Sequence, residues 1–239
     1  MENKKMIVTD LDGTLLKENK TGINASEKYL LELRNKGYII AIATGRTLDS
    51  AIRATVGAEF ANYIISDAGG RVHDMQSDTD IFHVEISKED MKKICSYFNE
   101  DIEHIFIGGI DKLYKYRDTY IEELNTNRHI ANVQELWEEC PFAIHMSIGV
   151  RKNKYARILV EKFKKEIPNL VFSVMKDSFR EEEWIEIAAK DITKYNAIKK
   201  VAEIEKIDNK DIIAFGDAVN DIDMIENVRS RCCYGECSR

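Results

Sequence analysis

The sequence predicts an α/β chain built on a parallel sheet and interrupted by an inserted α+β unit, and three observations carry that reading. Short β-branched apolar runs alternate with helical patterns at both ends of the chain. Each of those runs stops at a polar residue that can do chemistry. Between residues 81 and 187 the rhythm changes to strands in which apolar and polar positions alternate.

Met6-Ile7-Val8-Thr9 suits an interior strand buried on both faces, and it runs into Asp10-Leu11-Asp12-Gly13-Thr14. Asp and Gly are common turn formers, so this pentapeptide alone reads equally as a solvated acidic turn or as the working end of a buried strand. Asn24-Ala25-Ser26-Glu27 has the form of a capping box, and Tyr29, Leu30 and Leu33 follow at helical spacing until Lys36-Gly37. A second buried run, Tyr38 to Ala43, ends at Thr44-Gly45-Arg46; a helix from Leu48 to Val56 leads to a third, Tyr63 to Ile65, ending at Ser66-Asp67.

The insert begins with the alternating stretch Phe82 to Ile86, followed by a helix from Lys88 to Asn99. Strands are expected at Ile105 to Ile107 and Leu113 to Tyr116, around a Gly-Gly turn, and again at Ala143 to Ile148. A helix from Lys154 to Lys165 precedes strands at Leu170 to Val174 and Trp184 to Ile187. One polar face per strand suits an antiparallel sheet covered by helices on one side. The α/β rhythm resumes with a helix from Thr193 to Ile204 and the strand Ile212 to Phe215, which ends at Gly216-Asp217.

The 239 residues, 44% of them hydrophobic, suffice for a large core and two domains. A net charge of −7, from 35 Lys+Arg against 42 Asp+Glu, gives no general attraction to nucleic acid. The apolar stretch after Lys5 is too short for a signal peptide or a membrane span, which predicts a cytoplasmic protein with no membrane partner. Cys95 and Cys140 are isolated, and no cysteine spacing is matched by a His pair of zinc-site form. His73, His83, His104, His129 and His145 likewise show no metal-ligand spacing, so packing or surface roles are expected.

In a parallel sheet the carboxyl ends of the strands lie on one edge, so Asp10, Asp12, Thr44, Ser66 and Asp217 are expected to meet in one crevice. The helix near Thr193 brings Lys194 to that edge in its first turn, and the next brings Asn220 and Asp221. Carboxylates gathered so closely repel one another unless a cation neutralises them, and an all-oxygen set suits Mg²⁺. Lys194 and the Thr44 hydroxyl suit phosphate oxygens. An Asp can attack phosphorus to form an aspartyl phosphate, and a second Asp two residues along can reach the leaving oxygen as general acid.

Asp10-x-Asp12-Gly13-Thr14, Thr44-Gly45-Arg46, Lys194 and Gly216-Asp217-x-x-Asn220-Asp221 together resemble the motifs of the haloacid dehalogenase superfamily. More closely the chain is similar to its Cof-type, subclass IIB phosphatases, in which a large α+β cap lies between the second and third motifs. The resemblance implies a Rossmann-like three-layer core from 1–80 and 188–239, with the cap at 81–187. It implies Asp10 as nucleophile and Asp12 as general acid/base. Mg²⁺ would be held by Asp10, Asp12 (through its backbone carbonyl) and Asp217, with Asp221 beside them. Thr44, Gly45, Lys194 and Asn220 would hold the phosphoryl group. Arg46 reads either as a solvated charge or as a residue facing the substrate.

The implied activity is Mg²⁺-dependent hydrolysis of a small phosphorylated metabolite, a sugar phosphate or a cofactor phosphate. A phosphomutase or phosphotransferase of the same superfamily, or a truncated non-catalytic binder of phospho-ligands, is the alternative. Two departures stand out. Ala68-Gly69-Gly70 stands where the family commonly has Asn-Gly-Ala, which predicts a lost polar contact, and Tyr195 follows the motif lysine where Gly is usual, which predicts a narrower entrance.

After the fourth motif the resemblance implies a strand reading Val-Ala-Met-Gly-Asn-Ala and a final helix, whereas Val228 is followed here by RSRCCYGECSR. Codons that encode residues 229 to 238 can be chosen so that a one-base shift gives Glu-Val-Asp-Val-Ala-Met-Gly-Asn-Ala. The expectation is a frameshift after Val228, with Cys232, Cys233 and Cys237 as its by-products and a core strand and helix lost. The gene's nucleotides test this: codons unable to yield Ala-Met-Gly-Asn-Ala in the shifted frame exclude it, and restoring the frame should raise the melting temperature.

Overall fold

The computed structural model describes residues 4–16, 22–55, 59–98, 101–110, 112–117, 127–130, 132–151, 155–176, 182–190 and 192–233. In chain order the elements are β1 (Met6–Thr9), α1 (Glu27–Asn35), β2 (Ile39–Ala43), α2 (Leu48–Thr55), β3 (Tyr63–Ser66), β4 (Arg71–Asp74) and β5 (Thr79–His83). There follow α3 (Lys88–Cys95), β6 (Ile102–Gly108), β7 (Leu113–Tyr116), β8 (Asn127–Ile130), α4 (Val133–Glu139), β9 (His145–Arg151), α5 (Tyr155–Glu166), β10 (Leu170–Lys176) and β11 (Glu182–Ala189). The chain closes with α6 (Lys194–Glu205), β12 (Ile212–Gly216), α7 (Ile222–Asn227) and β13 (Ser230–Cys233). It divides into two units, Met1–His83 with Asp191–Arg239, and Val84–Lys190.

The first unit holds a seven-stranded sheet in the order β13-β12-β1-β2-β3-β4-β5. The strands from β13 to β3 run parallel, and β4 and β5 return antiparallel. A strand covered on both faces needs apolar side chains at every position, which is why the runs are continuous rather than alternating. On one face Met6, Val8, Ala41, Ala43 and Ile65 pack with Ala197, Ile198 and Val201 of α6 and with Met224 and Ile225 of α7. On the other, Ile7, Ile40, Ile42 and Ile64 pack with Leu30 of α1 and with Leu48 and Ala51 of α2. Helix, sheet and helix thus form the three-layer α/β architecture.

The second unit holds a six-stranded sheet in the order β10-β11-β9-β6-β7-β8, antiparallel except for the parallel β7–β8 pair. Ile105 and Ile107 lie beside Ile148 and Met146, which lie beside Ile185 and Ile187, giving one apolar face. The helices supply buried Met91 and Ile94 from α3, Leu136 from α4, and Leu159 and Phe163 from α5. Phe163 packs against Phe172 of β10 with ring centroids 5.4 Å apart. The alternate positions carry His104, Ser147, Trp184 and Glu186, which accounts for the polar half of the pattern.

Several local readings change. Residues 82 and 83 close β5 in the first sheet, while Ile86 forms an isolated bridge with Ala143, so Phe82 to Ile86 is not one strand. Asn24 Oδ1 accepts from the Ser26 N–H at 2.8 Å, an Asx turn in place of the expected capping box. Tyr195, partly buried, packs against the core cluster beneath α6. The strand expected to be missing is present: β13 pairs in parallel with β12 over Ser230 to Cys233. A ladder is made by backbone N–H and C=O groups, so it forms whatever side chains the segment carries. Residues 234–239 lie outside the described residues.

No helix among the described residues is long and apolar enough to cross a membrane. Burial pushes the thiols of Cys95 and Cys140 up to about 12 and about 11, which makes both poor nucleophiles.

The turn after β3 is strained. Asp67 and Ala68 both occupy the left-handed region, with φ of 52° and 56°, before Gly69 at 106°. The turn is held because the Asp67 and Ala68 N–H groups donate to the carbonyls of Arg46 and Thr44 at 2.8 and 3.0 Å. A Cβ at Gly69 would overlap the Thr193 carbonyl. We expect Ala68→Gly to stabilise the protein by about 0.5–1 kcal/mol, the left-handed penalty less the added chain entropy of Gly, and Gly69→Ala to destabilise it. Urea denaturation of the two variants checks both signs.

Candidate active site

The site is assembled where β1, β2 and β12 end. Asp10 follows β1, and its backbone N–H donates to the Phe215 carbonyl of β12 at 2.9 Å, which ties the two strand ends together. Lys194 is the first residue of α6, whose N-cap is Thr193 with its hydroxyl accepting from the Asn196 N–H. A cation at a helix N-terminus works against the helix dipole, and burying it costs more. Both costs are offset here by two carboxylates: Lys194 Nζ donates to Asp10 Oδ1 and to Asp221 Oδ1, each at 2.6 Å. The three side chains are 1%, 7% and 0% exposed.

Asp221 does a second job. Its Oδ2 accepts from the N–H groups of Asp217 and Ala218, both at 3.1 Å, which shapes the turn after β12. Asp217 Oδ1 in turn accepts from the Thr14 hydroxyl at 2.7 Å. Gly13, at φ 85°, lies against that carboxylate so closely that a Cβ would overlap it. Thr14, to which the sequence motif alone assigns no role, is therefore a site residue; its place directly after Asp12-Gly13 is the available signal.

Oxygens of Asp10, Asp217 and Asp221 all lie within 4.8 Å of one another, the one such acidic group among the described residues. Three carboxylates face one ammonium, so the set carries excess negative charge. Burial, above all, pushes the Asp10 carboxyl up to about 6; the nearby Asp221 charge adds to this and Lys194 opposes it. An all-oxygen, under-neutralised cluster of this kind fits a hard divalent cation.

The other residues singled out in the sequence fall at the rim. Thr44 is buried at the end of β2; its N–H donates to the Ile65 carbonyl at 2.9 Å and its Oγ1 accepts from the Arg46 N–H at 3.2 Å. The Asn220 amide approaches Gly45, standing 3.8 Å from where a Cβ on that glycine would sit. Asp12 is not in the buried cluster. Arg46 grips it with two parallel bonds, Nε to Oδ2 at 2.6 Å and Nη2 to Oδ1 at 2.7 Å, so the guanidinium is neither a free solvated charge nor turned to open solvent. Ser66 is fully buried and donates to Asp67 Oδ2 at 2.8 Å.

Of the histidines, His73 is held between Asp80 and Asp78 at 2.8 and 3.1 Å on the β4–β5 hairpin, away from the strand ends of the site.

A family profile described as haloacid dehalogenase-like hydrolase matches residues 7–238. The 5-amino-6-(5-phospho-D-ribitylamino)uracil phosphatase YitU of Bacillus subtilis is 26% identical over 241 residues, covering 95% of this chain and 85% of its own. YcsE of the same organism, named for the same activity, is 24% identical over 230 residues, covering 93% and 80%. Among solved structures, the subclass IIB sugar phosphatase BT4131 superposes with a TM-score of 0.74 at 18% identity, over 98% of this chain and 88% of its own. TM0651 of Thermotoga maritima gives 0.76 at 23% identity, over 96% and 86%. At these identities the structural likenesses speak for the fold.

Removing the Lys194 ammonium leaves two buried carboxylates facing each other. We expect Lys194→Ala to cost about 3–5 kcal/mol of stability, read by chemical denaturation of the metal-free protein.

Proposed function

The chain belongs to the haloacid dehalogenase-like hydrolase family, and we propose that within it this protein is a Mg²⁺-dependent phosphomonoesterase acting on small phosphorylated metabolites. The observation that carries the proposal is the buried Asp10–Lys194–Asp221 triad, set beside Asp217 at the carboxyl edge of the sheet. A carboxylate held this rigidly by an ammonium is positioned as a nucleophile for phosphorus.

Asp10, Asp217 and the backbone carbonyl of Asp12 would hold the metal, with Asp221 beside them. When bound, Mg²⁺ supplies positive charge against the phosphoryl oxygens and relieves the repulsion within the acidic cluster. The chain's own residues do the rest. Thr44, Gly45, Lys194 and Asn220 orient the phosphoryl group. An Asp10 oxygen forms a bond to phosphorus as the bond to the ester oxygen breaks, and the departing oxygen takes a proton from Asp12. Water then attacks the aspartyl phosphate and gives a proton to the Asp12 carboxylate. The bond between phosphorus and Asp10 breaks, and inorganic phosphate and the starting carboxylate are released.

The second unit takes the place of the family's cap, and substrate choice would rest on it. The names of YitU and YcsE make 5-amino-6-(5-phospho-D-ribitylamino)uracil the first compound to try, beside sugar and nucleotide monophosphates.

Phosphate release over that panel tests the reading. Activity should require Mg²⁺, vanish with EDTA and return on adding the metal back, and Asp10→Asn should reduce it to background. Equal activity of wild type and Asp10→Asn would overturn the assignment. Asp217→Asn should raise the Mg²⁺ concentration needed for half-maximal rate while leaving the fold intact by circular dichroism.

A further inference from the structure

Arg46 is placed to act on the acid rather than on the substrate. Its two parallel donors are both taken up by Asp12, in the bidentate geometry that makes Arg–carboxylate pairs both strong and directional. The pair is partly open, with side-chain exposures of 25% for Arg46 and 36% for Asp12, in contrast to the sealed triad around Lys194. An Asp on a loop at that exposure has two free torsions; a fork on both oxygens fixes the plane and direction of its carboxylate.

The backbone that carries Arg46 is itself fixed. Its N–H donates to Thr44 Oγ1 at 3.2 Å, and its carbonyl accepts from the Asp67 N–H at 2.8 Å. The donor of the second bond, Asp67, sits in the left-handed region, so the strained turn after β3 props the loop from which Arg46 reaches across. A continuous set of contacts therefore runs from that turn, through Arg46, to the carboxylate of Asp12.

We infer that Arg46 is the positioning residue of Asp12, orienting the carboxylate that protonates the leaving oxygen, and not a ligand for the substrate; this rests on the reading of Asp12 as general acid. The two N–H contacts can be given up singly. One Asp12 oxygen can turn to the leaving group while the other stays held.

The leaving group provides the test. p-Nitrophenolate departs without a proton, whereas an alkoxide such as that of glycerol 2-phosphate needs one, and kcat/KM reports the first transfer alone. Arg46→Ala should lower kcat/KM on glycerol 2-phosphate by about a hundredfold and on p-nitrophenyl phosphate by less than about tenfold, the same asymmetry as Asp12→Asn. The double variant should be no worse than Asp12→Asn, because both substitutions remove one function. Arg46→Lys, a point charge without a fork, should recover only part of the loss. Should Arg46→Ala fail to fold, Arg46→Gln carries the same comparison.

Equal losses on the two substrates, a rise in KM with kcat unchanged, or losses that multiply in the double variant would each overturn the inference. Asp10→Asn and Asp12→Asn run alongside separate the two failures. If Asp10→Asn remains active the phosphatase reading itself falls, and if Asp12→Asn lacks the asymmetry only its role as acid does.

Discussion

One ammonium organises the site. Lys194 sits where a lysine is least comfortable, fully buried and at the positive end of its helix, and it stays because Asp10 at the end of β1 and Asp221 at the start of α7 both meet it at 2.6 Å. The contact therefore fixes α6 against the end of β1 and against the start of α7 at once. Asp221, so fixed, receives the N–H groups of Asp217 and Ala218 and sets the turn that presents Asp217. Thr14 then locks Asp217 from the other side. Each carboxylate that could hold a metal or attack phosphorus is thus placed through contacts that lead back to Lys194. In this order the geometry depends on charge pairing first and on apolar packing second, although the packing of α6 on the sheet is what brings the lysine within reach.

Much of this was legible in the sequence for a simple reason. A parallel sheet puts every strand's carboxyl end on one edge, so polar residues that terminate apolar runs identify the crevice without knowledge of the strand order. Asp10, Thr44 and Asp217 are legible that way, and Lys194 follows from the first turn of the helix that starts at the same edge. The three layers, which the family resemblance implies, agree with the same runs, since continuous apolar strands must be covered on both faces.

The parts that were not legible depend on partners distant in sequence or on backbone shape. Nothing local in Thr44-Gly45-Arg46 says that the guanidinium will cross to a carboxylate thirty-four positions earlier. The β4–β5 hairpin was missed because Arg71, His73 and Asp80 put charge into strands; these charges satisfy one another, with Arg71 and His73 both on Asp80, whose carboxyl burial would raise but the two partners hold below its usual range. α4 was missed although its signal was present: Asn132-Val133-Gln134-Glu135 is a capping box, with Asn132 Oδ1 accepting from the Glu135 N–H at 3.0 Å. The tail misled in the opposite sense, because side-chain identity was taken to decide a strand that backbone pairing with β12 can form.

The two charge pairs at this sheet edge differ in exposure, and that difference divides their labour. A salt bridge sealed from water resists any change, because a partner withdrawn leaves a bare charge in a poor solvent. That suits the nucleophile, which must be in the same place at every turnover. A bridge a quarter to a third exposed is held by contacts that water can replace at little cost, so its members can part and rejoin. That suits an acid, which must hand over a proton, take one back and accommodate a leaving group between. On the proposed roles of nucleophile and acid, the rigid pair on Asp10 and the yielding pair on Asp12 give two carboxylates two residues apart the mechanical properties that their separate steps would require.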